Sequence, residues 1–253
     1  MQYIDSAIKA KPTPATATIA TNDIARAAPI TRKRISHWLT AGAAVAASDD
    51  KRFADDGETL ILLPHKKSGL SPRPAAVLIL FVNDNSGESP LIVFTQRTAH
   101  LTDHAGQISF PGGRVEPSDA NVIATAVRET HEETGILLAE IDVIGTLPQY
   151  TTGTGYIITP VVAWADEALR YAPDTSEVEE VFEVPAQFLL AAQHYRREQA
   201  MYKGRMREYY AVPYMQRYIW GATAGMLLTL LRVMAEAEGL GDISISAAKP
   251  DSA

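Results

Sequence analysis

Cysteine is absent from all 253 residues, and its absence excludes several kinds of chemistry. Without a thiol the chain can form no disulfide, use no thiolate nucleophile and build no zinc site with cysteine ligands. The absence is compatible with a reducing compartment, so we expect a cytoplasmic protein. Any catalysis must therefore depend on oxygen and nitrogen groups.

The chain also lacks an excess of basic residues and a long apolar run. Its formal net charge is -7, so no overall positive field attracts nucleic acid or an anionic membrane surface. The most apolar segment, near residues 221–238, is too short and too interrupted to span a bilayer. We therefore expect neither nucleic acid nor membrane as a partner, and an anionic small molecule would need local cations.

Composition and patterning predict one catalytic domain with two appended segments. Hydrophobic residues make up 46% of the chain, which is ample for a core. Residues 1–56 are predicted as an N-terminal extension and linker, partly disordered or helical, in which 23–46 form a helix. Residues 57–238 form the domain and 239–253 a flexible tail. The predicted helix turns these side chains toward the domain: Ile30, Ile35, Trp38 and Leu39.

Within the domain, alternating and continuous apolar runs predict strands, and one helix closes the chain. The predicted strands are Leu60–Pro64, Ala75–Val82, Leu91–Gln96, Gly106–Phe110, Val143–Leu147, Tyr156–Trp164 and Val181–Val184, followed by a hairpin of residues 202–210 and 217–220. The final helix, Gly221–Glu238, has an apolar stripe at helical spacing. That stripe is core or a dimer seam, so a homodimer is permitted.

An acidic helix is predicted over residues 120–134. Asp119 is the expected N-cap and Gly135 the C-terminal stop. Three carboxylates at i, i+3 and i+4 fall on one side of this helix: Glu129, Glu132 and Glu133. Arg128 lies beside them and can pair with one of them.

This carboxylate cluster is unfavourable for stability alone. Each like-charged pair costs roughly 0.2 to 0.5 kcal/mol, and the helix dipole disfavours anions at the C-terminal end. A hard divalent cation reverses that balance because it prefers oxygen ligands. A Glu-rich helix face is more often simply solvated, but Phe110–Gly113 precedes it as a strand end and a turn without Cβ atoms. Such a backbone can approach a phosphate, or offer the Gly113 carbonyl to a metal.

Strand end, turn and helix together resemble the Nudix box, the signature of the Nudix hydrolases. The pattern is a glycine, five residues, a Glu, seven residues, then R-E, an aliphatic residue, any residue, E-E, any residue, G and an aliphatic residue. The matching positions are Gly113, Arg128, Glu129, Glu132, Glu133, Gly135 and Ile136. The sequence departs at Asp119, which replaces the first Glu, at one extra spacer residue, and at Thr130, which replaces the aliphatic residue.

The departures and the segment before the box resemble the coenzyme A pyrophosphatase branch of that family. Residues 97–113 read RTAHLTDHAGQISFPGG, close to the branch's upstream pattern of two Arg, a Gly and FPGG. Thr102 stands where the second Arg is expected, and His100 or His104 could substitute for it. The polar loop around Tyr150 and Thr152 also looks like that branch.

The resemblance implies an α/β (α+β) fold, the Nudix-type alpha/beta/alpha sandwich around a mixed β-sheet. It implies hydrolysis of a diphosphate by Mg2+ or Mn2+, with coenzyme A or acyl-CoA as the substrate. The implied metal ligands are Glu129, Glu132, Glu133 and the Gly113 carbonyl. The implied substrate contacts are Arg97, Gly112, Gly113, Tyr150 and Thr152. Arg128 completes the catalytic group, with Glu177 or Glu180 as an additional carboxylate outside the box.

Two other functions stay open on the sequence. One is hydrolysis of another nucleoside diphosphate derivative, such as ADP-ribose or a dinucleotide, which the Thr102 departure permits. The other is a non-catalytic nucleotide-binding module of the same fold. The intact acidic triad argues against the module, because without chemistry nothing favours three mutually repelling carboxylates.

Overall fold

The computed structural model describes residues 28–48, 53–54, 72–83, 89–100, 106–202, 205–241, 243 and 245. The predicted strand Leu60–Pro64 and the residues Thr102 and His104 lie outside this set. The first 27 residues of the predicted extension and most of the predicted tail also lie outside it.

The described elements alternate between strands and helices. The helices are α1 (Arg32–Ser48), α2 (Val122–Thr134), α3 (Ala186–Leu189) and α4 (Ala222–Ala237), with short 3-10 turns at Leu138–Glu140 and Ala192–His194. The strands are β1 (Phe53–Ala54), β2 (Arg73–Val82), β3 (Leu91–Arg97), β4 (Ile108–Ser109), β5 (Gly112–Arg114), β6 (Asp142–Thr146), β7 (Tyr150–Thr151), β8 (Tyr156–Ala165), β9 (Val178–Pro185), β10 (Arg196–Tyr202), β11 (Arg205–Tyr214) and β12 (Arg217–Trp220).

Among the described residues, β1 to β9 form one mixed sheet in which β2 and β8 are the central strands. They run parallel over ten residue pairs, from Arg73 opposite Tyr156 to Val82 opposite Ala165. Strands β3 and β5 both pair antiparallel with β2, and β9 pairs antiparallel with β3. Strands β10, β11 and β12 form a separate antiparallel sheet. This pairing brings the glycine strand β5 beside the most buried strand of the protein.

Helices cover both faces of the large sheet, because β2 alternates its side chains between two apolar clusters. Leu78 and Leu80 pack with Ala126 of α2 on one face. Val77 and Ile79 pack on the other face, in the cluster that contains side chains of α1 and α4. The layers are therefore helix, mixed sheet and helix, and the expected α/β sandwich is confirmed.

Helix α1 packs on α4 as part of this structure. Arg34 Nε and Trp38 Nε1 each donate a hydrogen bond of 2.7 Å to Glu238 Oε1. Gly42 permits close approach of the two helices, since a Cβ there would overlap the Val233 carbonyl oxygen and lie 2.9 Å from Val233 Cγ1. The predicted boundary at residue 56 thus separates elements that pack on one another.

The structure confirms most predicted elements and changes the bounds of several. The predicted strand Gly106–Phe110 is shortened to β4. Of the predicted helix over residues 23–46, the part from Arg32 onward is observed in α1, and residues 23–27 lie outside the described residues. The side chains expected on its inner face are buried: Ile30, Ile35, Trp38 and Leu39. The predicted hairpin near the C-terminus is part of a three-stranded sheet whose first strand, β10, the sequence patterns missed. No helix in the described part of the chain has the length and apolarity needed to cross a bilayer.

Candidate active site

The acidic helix α2 begins and ends at residues whose backbone is held by capping contacts. Asn121 is the N-cap, and its side chain accepts hydrogen bonds of 3.0 Å from the backbone N–H groups of Ile123 and Ala124. The prediction that Asp119 is the N-cap was wrong, because that carboxylate is bound to Arg128 instead. Gly135 ends the helix as predicted, with a left-handed φ of 74°.

The glycine turn before α2 is shaped by close approach to the central strand. Gly112 has a φ of 153°, and a Cβ there would lie 2.6 Å from Val77 Cα of β2. Gly113 faces the helix, since a Cβ there would lie 2.5 Å from both carboxylate oxygens of Glu129. The sheet backbone therefore requires glycine at position 112, whereas a Cβ at position 113 would meet the movable end of an acidic side chain.

Glu133 is the most buried carboxylate of the predicted triad. The residue is 8% exposed, and its Oε2 accepts a hydrogen bond of 3.2 Å from the backbone N–H of Gly112. Burial raises the pKa of Glu133 to about 8, and the negative charges of Glu129 and Glu177 act in the same direction. The Gly112 N–H and Arg97 oppose that rise. A site that disfavours the ionised carboxylate this strongly is suited to a cation.

Glu129 lies beside Glu133 on the same side of α2 and against Gly113. Burial raises the pKa of Glu129, and the hydrogen bond from Arg128 partly opposes it. Two desolvated carboxylates and a glycine backbone thus face one small region. The available donors are oxygen atoms, which is the ligand type that Mg2+ and Mn2+ prefer.

Arg128 is the centre of an ion-pair network that fixes this end of the site. Its Nε lies 2.8 Å from Asp119 Oδ1 and its Nη2 3.0 Å from Asp119 Oδ2, a bidentate pair. Its Nη1 lies 3.0 Å from both Glu129 Oε1 and Glu132 Oε2. The hydrogen bond from Arg128, and a second from the Glu116 N–H, hold the pKa of Asp119 well below its usual range. Asp119, in the position of the first box Glu, therefore orients Arg128.

Glu132 shares Arg128 Nη1 with Glu129 but is more exposed than the other two carboxylates of the triad. Its side chain is 56% exposed and is paired with Arg128. Within the part of the chain that the structure describes, no three His, Cys, Asp or Glu side chains are close enough to form a metal-binding group. Glu129 and Glu133 are the two members of the predicted ligand set that lie against the glycine turn and fit a divalent cation there. Glu132, like Glu129, is paired with Arg128.

Arg97 and Glu177, two residues of the predicted site, lie close to one another. Arg97 Nη2 lies 3.9 Å from Glu177 Oε2, and the Thr98 N–H donates to the Glu177 carbonyl at 3.0 Å. Both charges act on the pKa of Glu133. The last residue of β3 and the residue before β9 therefore supply one cation and one carboxylate whose charges act on Glu133.

Glu180, the second candidate outside the box, is directed elsewhere. Its side chain pairs with Arg217 Nη2 at 2.5 Å, and Arg217 stacks on the ring of Phe182 at 3.6 Å. Phe182 belongs to the cluster on the sheet face opposite α2. Glu180 lies opposite Gln96 in the regular part of the register, and the shift between Gln96 and Arg97 places Val178 opposite Arg97. The structure thus separates Glu180 from the acidic helix, and that prediction is corrected.

Tyr150 and Thr152 are not placed in the site either. Tyr150 is 2% exposed in the core, where its ring lies so near Gly225 that a Cβ there would be 2.6 Å from Tyr150 Cζ. Thr152 is 9% exposed, and its hydroxyl accepts from the Tyr156 N–H at 3.0 Å and lies 2.9 Å from the Thr154 hydroxyl. Their predicted substrate contacts are corrected, because one residue builds the core and the other the turn before β8.

Sequence reasoning missed an arginine pair around Tyr156. Arg73 Cζ lies 4.1 Å and Arg114 Cζ 5.5 Å from the centroid of the Tyr156 ring. These residues are far apart in sequence, and their proximity follows from the pairing of β2 with both β5 and β8. The sequence offered one signal for Arg114, namely that this charged residue directly follows Gly113 of the glycine turn.

Comparison with known proteins agrees with this geometry. A family model of the NUDIX domain matches residues 72–204. The chain is 40% identical over 161 residues to the uncharacterized Nudix hydrolase NudL of Escherichia coli O1:K1, covering 64% of this chain and 82% of that protein. The NudL protein of Shigella boydii serotype 18 matches with the same identity and coverage.

Solved structures of lower similarity also match. A MutT/nudix family protein from Enterococcus faecalis is 15% identical, with a TM-score of 0.40, and covers 84% of this chain and 80% of its own. The Nudix hydrolase RenU from M. smegmatis is 24% identical, with a TM-score of 0.39, and covers 46% of this chain and 73% of its own.

The family match spans the glycine turn, the acidic helix and the Arg97 segment, which are the parts that build the site. The chain therefore belongs to the Nudix family and is a Nudix pyrophosphohydrolase that acts on a nucleoside diphosphate derivative.

Proposed function

We propose that the enzyme hydrolyses the diphosphate bond of coenzyme A or an acyl-CoA in a reaction that requires Mg2+ or Mn2+. The products would be adenosine 3',5'-bisphosphate and (acyl-)4'-phosphopantetheine. The observation that carries the proposal is the packing of Glu129 and Glu133 against Gly113 and Gly112. The coenzyme A assignment rests on the segment from Arg97 to Gly113, which resembles that branch of the family.

The proposed metal ligands are Glu129, Glu133 and the Gly113 carbonyl, with Glu132 added after it leaves Arg128. A divalent cation bound there supplies charge neutralisation at the diphosphate and lowers the pKa of a coordinated water. Arg128 holds the Glu129 carboxylate in place through an ion pair of 3.0 Å. Asp119 fixes Arg128 in turn.

The remaining chemistry is assigned to residues on β3 and at the start of β9. Arg97 would bind a diphosphate oxygen and balance charge as the bond breaks. Glu177 would accept the proton of the attacking water as general base. The water oxygen bonds to one phosphorus, the bridging P–O bond to that phosphorus breaks, and the other phosphate ester leaves with the bridging oxygen. Glu177 is 55% exposed, so it can return that proton to solvent.

A substrate panel tests the proposal. Purified wild-type protein is incubated with coenzyme A, ADP-ribose or diadenosine tetraphosphate, each with and without Mn2+, and products are identified by mass spectrometry. Metal-dependent formation of adenosine 3',5'-bisphosphate from coenzyme A is the expected result. Cleavage of ADP-ribose alone would retain the site and refute the coenzyme A assignment. Nucleotide binding without turnover at any metal concentration would instead favour a non-catalytic module.

A further inference from the structure

A cationic cluster, formed by Arg73, Arg114 and Tyr156, lies where β2 and β8 begin and β5 ends. It shares no residue with the acidic pair of Glu129 and Glu133. Arg73 stacks on the Tyr156 ring, and its Nη2 donates a hydrogen bond of 3.2 Å to the Thr154 carbonyl. Arg114 Nε donates a hydrogen bond of 2.8 Å to the Tyr156 hydroxyl oxygen. The hydroxyl thus accepts from Arg114, and its own hydrogen remains able to donate to a ligand.

The positive charge of this cluster is not neutralised within the described part of the chain. Neither Arg73 nor Arg114 has a described carboxylate within ion-pair distance. Both side chains are exposed. In a protein with a net charge of -7, two adjacent guanidinium groups with no described carboxylate partner create a local site for an anion.

The cluster is adjacent to the proposed reaction centre. Arg114 directly follows Gly113 in β5, so their Cα atoms are about 3.8 Å apart. However, Gly113 pairs with Ala76 and Arg114 with Ala75, so the Arg114 side chain lies on the other face of the sheet. The carbonyl of Arg114 accepts a hydrogen bond of 3.3 Å from Arg128 Nη2. A substrate whose diphosphate lies at the glycine turn would pass around the end of β5 to bring its next charged group to the arginine pair.

Guanidinium groups bind phosphate oxygens in a bidentate manner, and a tyrosine hydroxyl can add a third donor. We propose that Arg73, Arg114 and Tyr156 form a subsite for a phosphate monoester on the ribose of the substrate's nucleoside. The inference rests on the proposed function, because it assumes that a nucleoside diphosphate occupies the glycine turn. The subsite favours substrates that carry a ribose phosphate over those that end in an unmodified ribose.

Coenzyme A and dephospho-coenzyme A test this subsite, since they differ only in the ribose 3'-phosphate. The double variant Arg73→Gln/Arg114→Gln is compared with the wild type and with Lys33→Gln, which removes an exposed charge on α1. We expect KM for coenzyme A to rise about tenfold in the double variant, with KM for dephospho-coenzyme A unchanged. Equal effects on both substrates, or no effect on either, would overturn the subsite.

A binding measurement separates failure of the subsite from failure of the proposed reaction. Calorimetry without metal should show that the wild type binds adenosine 3',5'-bisphosphate about tenfold more tightly than AMP, and that the double variant has lost this preference. Absence of coenzyme A cleavage together with this preference would refute the reaction and keep the subsite. Cleavage of coenzyme A without a preference for adenosine 3',5'-bisphosphate over AMP would support the reaction and refute the subsite. Circular dichroism is used to confirm that the double variant is folded.

Discussion

Adding one methyl group at position 113 should impair metal binding while leaving the fold nearly intact. An alanine Cβ there would lie 2.5 Å from both carboxylate oxygens of Glu129, well inside ordinary van der Waals contact. The carboxylate must move by about 1 Å, and a misplacement of that size can cost about 100-fold in rate. Because the displaced atoms end a flexible side chain, we expect the free energy of unfolding to fall by less than about 1 kcal/mol.

The neighbouring glycine provides a matched control with the opposite outcome. At Gly112 the added Cβ would lie 2.6 Å from Val77 Cα, and the φ of 153° is unfavourable for alanine. The overlap is with the backbone of a central strand, which cannot yield as a side chain does. Gly112→Ala should therefore lower the free energy of unfolding by about 3 kcal/mol or more.

Three measurements separate the two glycine variants. Urea denaturation gives the free energy of unfolding, Mn2+ titration followed by electron paramagnetic resonance gives the metal affinity, and product formation gives the rate. Gly113→Ala should retain its stability and lose about 10- to 100-fold in Mn2+ affinity or rate. Wild-type affinity and rate in Gly113→Ala would refute the placement of Glu129 in the metal site.

Further predictions concern titration, proton transfer and helix packing. Since the pKa of Glu133 is raised to about 8 in the folded state, stability without metal should fall as pH rises from about 4.5 to 8. At pH 7, Glu133→Gln should recover up to about 3 kcal/mol of the free energy of unfolding that the wild type loses. If thermal unfolding in EDTA showed the same dependence of stability on pH for the wild type and the variant, the prediction would be contradicted. Glu177→Gln should lower kcat about 100-fold, whereas Glu180→Gln should stay within about twofold; the reverse order in steady-state assays would reassign the base. Gly42→Ala should lower the free energy of unfolding by about 1 to 3 kcal/mol through overlap with Val233; unchanged urea unfolding would mean that α1 is not part of the cooperative unit.

Local sequence patterns predicted the helices and most strands because each pattern reports on neighbours within a few residues. They predicted Asp119 as the cap of α2, whereas Asn121, which also has a side chain that can cap a helix, occupies that position. The choice is made by Arg128, which binds Asp119 in a bidentate ion pair. Pairing of β2 with β8 joins segments far apart in the chain, so periodicity alone could not predict it.

The positions of site residues on the helix could be predicted from helical spacing. The positions of site residues on strands could not, because they depend on the register between strands. Spacing placed Glu129 and Glu133 together and predicted that Arg128 can pair with one carboxylate, but it did not show that Arg128 pairs with both Glu129 and Glu132. The choice between Glu177 and Glu180 depends on the irregular pairing at the end of β3. Tyr150 looked like a loop residue, whereas its aromatic side chain is buried beneath α4.

The most direct test of the catalytic site is the initial rate of coenzyme A cleavage at saturating Mn2+ by the wild type and by Glu133→Gln. The variant keeps the shape of the side chain and removes its charge. Metal-dependent cleavage by the wild type, lowered at least about 100-fold in a variant that remains folded, is the predicted result. Cleavage that needs no metal, or equal rates for the two proteins, would contradict the assignment of Glu133 to a catalytic metal site.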